Sequence, residues 1–471
     1  MNNKGQITVF MCLILCAFLM LGTAAIAICK RFVAKEQSAV VVNSAVSDIK
    51  SEYNSYIFEH YHILLFDKTD YGKGEAAVEE KLYGYIEDNL SDECTVNNVA
   101  ITDYDLLVDN NCEAFKSQID DYIVYAGIEY GASEILEKTG GKDAVVSEEM
   151  IDNMDAECEA DETPEDNSSN DNPSDTASND EDDPRDFTKK MGKIGILDFV
   201  VPDGLIVSDE TIDLSECPSK AESSFMGGYD IENKFNKYNR LKKDLKNNSE
   251  WNNALIDAGS GLAYAQNVFN CATDTDVNDN TVFDFELEYL ICGDDSDYKN
   301  LNKTVKRIIA IRFPIDFTYL LTDTSKMSRV KSIALALNAS TGVPYTVLKY
   351  LIAGCWSYVE AVTDVKVLLR GDKLPFVKNY ESWMTDIDNL GGSLGEAEFS
   401  DNSGMSYEDY LMILIALNMD KTYTRMLDII QLNARQIYPD FLIENAAVGL
   451  SADVSISYGD NEFDFNISGG Y

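Results

Sequence analysis

Thr8 to Ile28 reads TVFMCLILCAFLMLGTAAIAI, one unbroken apolar run of 21 residues, with Lys4 before it and Lys30 and Arg31 just after it. A run of this length constrains the chain more than any other feature. About 20 apolar residues at 1.5 Å each cross a hydrocarbon core of about 30 Å as one helix. No second run of this quality follows. Pro344–Val362 (PYTVLKYLIAGCWSYVEAV) comes nearest, but Lys349 and Glu360 lie inside it. Charges near mid-bilayer cost about 2.5–3.5 kcal/mol each on insertion scales, so that segment is expected as a buried helix of a folded head.

Three readings of the N-terminus compete. A secretory signal has an apolar region of about 7–15 residues, shorter than this run, although Ala25-Ile26-Ala27 fits an A-x-A cleavage site. A lipoprotein signal wants a small residue before the cysteine, whereas Ile28 precedes Cys29 and Leu15 precedes Cys16. A retained single-pass anchor fits the length. Orientation is a separate question. Lys30, Arg31 and Lys35 outnumber Lys4, and charge counting alone puts the C-terminal side in the cytoplasm, but long domains translocate largely regardless of charge.

No glycine or proline occurs between Thr23 and Tyr71, and Val41, Ala45, Ile49, Tyr53 and Ile57 recur every four residues. That spacing lines one face of a helix, so the span and its continuation are expected as one helix of about 50 residues, roughly 75 Å long. A rod half in lipid and half packed on its own head is a pilin-like arrangement. The opening Lys4-Gly5-Gln6-Ile7-Thr8-Val9-Phe10 resembles the start of pilin-like chains, and the resemblance implies a candidate processing site between Gly5 and Gln6, where a prepilin peptidase would cut. Phe10 stands where pilins carry a glutamate.

Taken together, GQITVF at Gly5–Phe10, SEYNSYIFEHYHILLFD at Ser51–Asp67, LEYLICG at Leu287–Gly293, DVKVLLRGDKLPF at Asp364–Phe376, SYEDYLMILIAL from Ser406 and RMLDIIQLNAR up to Arg435 mark a family. The chain resembles an uncharacterised Gram-positive membrane-anchored family encoded beside Tad (Flp) pilus genes, with a TadE/TadG-like N-terminus. The resemblance implies a head outside the cytoplasm, and pilus or cell-surface proteins as partners. It implies no reaction.

The remaining residues predict an α+β head. Helices are expected over Glu75–Leu90, Cys112–Lys138, Glu232–Asn247, Asn252–Phe269, Tyr298–Leu320, Lys326–Ser340, Pro344–Thr363 and Asp420–Ile437. Another starts at Ser406, with Asp409 completing a capping box. Strands are expected at Tyr61–Asp67, within Thr95–Val108, at Gly195–Val201, at Phe283–Cys292, and as a C-terminal hairpin of Ala452–Tyr458 and Glu462–Ile467 around Gly459-Asp460-Asn461. Lys366–Leu369 and Lys373–Val377 around Arg370-Gly371-Asp372 suggest a second hairpin. Residues 143–186 hold no basic residue between Lys142 and Arg185 and are expected as an acidic, disordered linker. The organisation is therefore a short segment 1–7, a span 8–28, a stalk with a first α+β subdomain 29–142, the linker, and a second α+β subdomain 187–471.

Eighty-two acidic against 38 basic residues give a net charge of −44, which argues against nucleic acid as a partner. Divalent cations, basic partners or simply a solvated, highly soluble acidic surface fit this balance, and calcium or a cell-wall ligand bound by acidic loops is the alternative function. Asp274, Asp276, Asn278, Asp279 and Asn280 echo the start of an EF-hand loop. Asp279 and Phe285 stand where that motif needs Gly and Glu. Asp294, Asp295 and Asp297 form a second acidic group. Only two histidines occur, His60 and His62, too few for a zinc shell without cysteine or carboxylate partners at suitable spacing. Ten cysteines form no C-x-x-C, so neither a zinc knuckle nor a compact disulfide framework is signalled. Ser260 lies in Gly259-Ser260-Gly261, with no G-x-S-x-G elbow, H-E-x-x-H or phosphate loop anywhere. These readings predict no catalytic residues, no cofactor and no resident metal.

Overall fold

The computed structural model describes residues 3–126, 138, 184–220, 259–274, 281–399 and 404–471, with side chains from Val9 onward. The chain is α+β with a long apolar N-terminal helix, as its patterning predicts. It divides into two compact units interleaved in sequence: one holds Met1–Gln118 and Ala434–Tyr471, the other holds most of the chain between. The units do not follow the order of the chain, because the C-terminal strands pair with residues near position 100.

The first unit is built on α1 (Asn3–Ser51), one helix of 49 residues. From Val9 to Val33 every residue but the half-buried Ile14 is exposed. From Ala34 onward one face turns inward, with Ala34, Val42, Ala45, Val46 and Ile49 buried. After α1 come α2 (Ser55–Tyr61), β1 (Phe66–Asp67), α3 (Glu75–Asn89) and β2 (Cys94–Leu106), with α4 (Asp109–Ala126) leading out. β3 (Ala446–Tyr458) and β4 (Asn461–Gly470) form the expected hairpin, which runs six residues further back on β3 and three further on at the end of β4 than its alternation suggests. β3 is central and antiparallel to all its neighbours. β2 covers one edge, while β1 and then β4 share the other. β2 carries three register irregularities along this pairing, the bulging common on edge strands. α1 and α3 lie on one face of the sheet and close a core of Val42, Ala45, Ile49, Leu82, Ile86, Leu450, Val454, Ile456 and Phe463.

The second unit is mainly helical. α5 (Pro184–Ile194), α6 (Leu197–Val200), α7 (Gly259–Val268) and α8 (Glu286–Cys292) precede three long helices, α9 (Asp297–Thr322), α10 (Thr324–Thr341) and α11 (Tyr345–Leu369). α12 (Leu390–Glu396), α13 (Tyr407–Ala416) and α14 (Met419–Arg435) complete it. α11 is the buried core helix predicted for Pro344–Thr363, extended to Leu369. Ser406 caps α13 with Asp409 in a full capping box, as read from the sequence.

Several expected strands are not strands. Phe283–Cys292 alternates apolar and acidic residues, yet Glu286–Cys292 is helical, and Glu286 and Glu288 are as buried as their apolar neighbours. The acids turn inward because their carboxylates accept backbone N–H groups of the preceding loop, which a period-2 reading assigns to solvent. Gly195–Val201 forms the short helix α6, with Ile196, Leu197 and Val200 buried together. Tyr61 ends α2 and His62 takes a left-handed conformation, leaving only Phe66-Asp67 to pair. Lys366–Leu369 is the last turn of α11, and Arg370-Gly371-Asp372 is the turn after it rather than a hairpin. Pro184–Ile194 is helical, so the acidic linker ends before residue 186. Residues 143–183 of that linker and Glu232–Asn247 lie outside the described residues.

Candidate functional site

The exposed stretch of α1 and its seat on the sheet form the first feature with functional meaning. Val9, Phe10, Leu13, Phe18, Leu19, Leu21, Ile26 and Ile28 are each more than half exposed, far more contiguous apolar surface than a water-soluble domain leaves open. Among the described residues α1 alone is long and apolar enough to cross a membrane. Gly5 and Gln6 lie in its first turn and a half. Where the helix reaches the head, small residues allow close approach. A Cβ at Gly469 would come within 2.9 Å of Val46 Cγ1, so glycine lets β4 lie directly against α1. Lys50 Nζ donates to Gly470 O at 2.9 Å, the Tyr471 hydroxyl donates to Lys50 O, and Tyr471 N donates to Val448 O at 3.0 Å. The far end of α1 is thereby fastened to the last strand.

The second feature is a fully buried ionic network in the helical unit. Arg312 and Asp316 sit one turn apart on α9, and Glu360 and Asp364 one turn apart on α11. Lys378 comes from the segment after α11, and all five are inaccessible or nearly so. Arg312 Nε donates to Asp364 Oδ2 at 2.7 Å, and its Nη1 donates to Phe376 O at 2.8 Å and Pro375 O at 3.1 Å. Lys378 Nζ spends its three protons on Glu360 Oε1 at 2.5 Å, Asp364 Oδ1 at 2.6 Å and Ser382 O at 2.8 Å. Glu360 also accepts from Met384 N, Thr385 N and the Thr385 hydroxyl. Burial opposes the Lys378 ammonium, but the Asp364, Glu360 and Asp316 carboxylates outweigh it and push its pKa up. Burial pushes the Asp316 carboxyl well above the usual range, with Asp364 adding to it, and Asp316 Oδ2 has no hydrogen-bond partner. Three acids against two cations balance when Asp316 keeps its proton. The network pins residues 374–385 to two helices; it is a scaffold, with every charged atom directed at the protein's own groups.

Glu286, Glu288 and Asp297 form a second buried acidic set. Glu286 accepts from Asn270 N at 3.1 Å and Asn433 Nδ2 at 3.1 Å. Glu288 accepts from Ala272 N at 3.0 Å and from the Tyr407 hydroxyl at 2.9 Å. Asp297 accepts from Asp284 N and Phe285 N at 3.1 and 3.2 Å. Burial pushes Glu286 up to about 8, Glu288 to about 7 and Asp297 to about 6.

The residues singled out by the sequence do not converge. His60 is exposed, its Nδ1 2.9 Å from Tyr56 O. His62 caps α2, and burial, with His60 beside it, pushes its pKa down. Ser260 donates to Asp120 with no histidine in its own unit. Asp294 pairs with Lys303 at 3.0 Å and Asp295 with Lys299 at 2.8 Å, so both are neutralised internally. Asp274 accepts from Cys271 N, while Asp276, Asn278, Asp279 and Asn280 lie outside the described residues. Among the described residues no group of three or more His, Cys, Asp or Glu is placed to hold a metal. Sequence reading missed the Arg312–Lys378 network. The only local trace of it is the i,i+4 spacing of Arg312 with Asp316 and of Glu360 with Asp364.

A family model described as a family of unknown function, DUF5702, matches residues 174–458. That stretch runs from before α5 through β3 and leaves α1 outside it. No curated protein and no solved structure matches the chain. With more than half of its length matched, the chain belongs to this family of unknown function, DUF5702.

Proposed function

We propose that the protein is a single-pass, membrane-anchored, pilin-like accessory or structural component of a Tad-type pilus or related surface system, with its head outside the cytoplasm. One observation carries the reading: α1 is a single uninterrupted helix, apolar and bare over its first half and part of the head's core over its second. A cleaved signal has no reason to continue without a break into the fold it is cut from. A solvent-exposed helix would not keep about 20 residues of bare apolar surface. Pairing of Asp294 and Asp295 with lysines disfavours those residues as a calcium site.

Protease treatment of intact cells tests the placement. The head is cut under conditions that spare a cytoplasmic control, and full protection of the head would refute it. Intact-mass measurement of the extracted protein decides processing: loss of residues 1–5 places the cut after Gly5, and loss of residues 1–27 would show secretion instead.

A further inference from the structure

The seat of α1 on the sheet also sets which end of the first unit meets the bilayer. Gly469 lies against Val46, which is 18 residues beyond Ile28, the end of the apolar run. At helical rise that contact stands about 27 Å above the hydrocarbon edge. From Gly469 β4 runs back nine residues to the Gly459-Asp460 turn, about 30 Å at strand rise, less whatever the crossing angle removes. The two lengths nearly cancel, which returns the turn to the edge of the hydrocarbon. Contacts near the other end of the pair agree with this alignment. The Arg31 guanidinium lies 5.9 Å from the Phe463 ring centroid, and Lys30 Nζ lies 3.9 Å from Glu93. Lys30 and Arg31 follow Ile28 by two and three residues, within about 5 Å of helix rise. The headgroup layer is itself about 5–7 Å deep on each side of the core.

We propose that the β3–β4 turn and the α3–β2 turn form a lipid-contacting face seated in the headgroup layer. The proposal rests on the anchor reading above and names the surface and its partner. The face carries both signs of charge. Lys30 and Arg31 stand where lipid phosphates lie. Asp92, Glu93, Asp460 and Glu462 are exposed around them, where headgroup ammonium groups lie. Tyr458, whose hydroxyl donates to Glu93 at 3.0 Å, adds an aromatic group of the kind enriched at this depth. A layer of zwitterionic phospholipid matches this pattern; a purely anionic layer repels the four carboxylates.

Depth-dependent quenching in nanodiscs tests this on the full-length protein. A fluorescent amino acid is placed by codon suppression at position 460, at exposed Ser51 on the far end of α1, or at Leu19 in the span. Phosphatidylcholine discs carry nitroxide on the headgroup or in mid-chain. Headgroup nitroxide is expected to quench position 460 at least threefold more than position 51. Mid-chain nitroxide is expected to quench position 19. If position 19 is quenched and position 460 behaves like position 51, the lipid-facing end is wrong while the anchor stands. If position 19 is not quenched, the anchor reading falls and this one with it. In anionic phosphatidylglycerol discs, quenching at 460 is expected to weaken; equal or stronger quenching would overturn the charge matching.

Discussion

Replacing Lys378 with methionine isolates the worth of the buried network. Methionine is close to lysine in length and apolar, so the substitution leaves little cavity and removes the ammonium alone. Three acceptors then lose one donor each: Glu360 Oε1, Asp364 Oδ1 and Ser382 O, which the ammonium holds at 2.5–2.8 Å. Asp364 keeps Arg312, and Glu360 keeps the Met384 and Thr385 donors. Glu360 is nonetheless left as a buried carboxylate with no cation against it. Breaking a buried pair from one side costs about 3–5 kcal/mol, a large share of the 5–15 kcal/mol that holds a typical domain together. Two of the three tryptophans report on this site. Trp356 Nε1 donates to Thr385 Oγ1 and Trp383 Nε1 to Thr385 O, so intrinsic fluorescence follows the helical unit through urea unfolding of the detergent-solubilised protein. With a slope of about 3 kcal/mol per molar urea, the midpoint is expected to fall by about 1–1.7 M. Adding Glu360→Gln to Lys378→Met is expected to recover part of the loss, since groups in one network do not add. A single Lys378→Met variant within about 0.5 kcal/mol of the parent would refute the assignment of the network as a scaffold.

Three further outcomes follow from named contacts. Glu286, Glu288, Asp297 and Asp316 have carboxyl pKa values raised on folding, so the folded state holds protons that the unfolded chain releases. Stability is then greatest near the ordinary carboxyl range and falls by a few kcal/mol as pH rises from about 4 through about 8. Urea midpoints at pH 5 and pH 8 check the sign, and Glu286→Gln should flatten the trend. Gly469→Val forces a branched side chain into buried Val46 and should cost about 2 kcal/mol; hydrogen exchange of β4 amides about 30-fold faster is the readout. Ser406→Ala removes the acceptor of Asp409 N at 3.2 Å and should cost about 1 kcal/mol, seen as a small loss of fluorescence midpoint.

What was legible in the residues is what depends on near neighbours. The long apolar helix and its continuation into the head follow from an uninterrupted apolar run and a stretch without glycine or proline, although that stretch runs to Tyr71 and α1 stops at Ser51. The Ser406–Asp409 cap and the hairpin around Gly459-Asp460-Asn461 follow from spacing over a few positions. Tertiary structure alone decided where charges go. Glu286 and Glu288 alternate with apolar residues as a half-exposed strand would, and turn inward because loop N–H groups at Asn270 and Ala272 need acceptors. Arg312 neutralises Asp364 across 52 residues, Lys378 reaches back 14 to Asp364 and 18 to Glu360, and β3 finds β2 across more than three hundred. Local periodicity records which face a residue can take. The cost of burying a charge is met only by a partner that folding brings from elsewhere in the chain, so these pairings have no short-range signature.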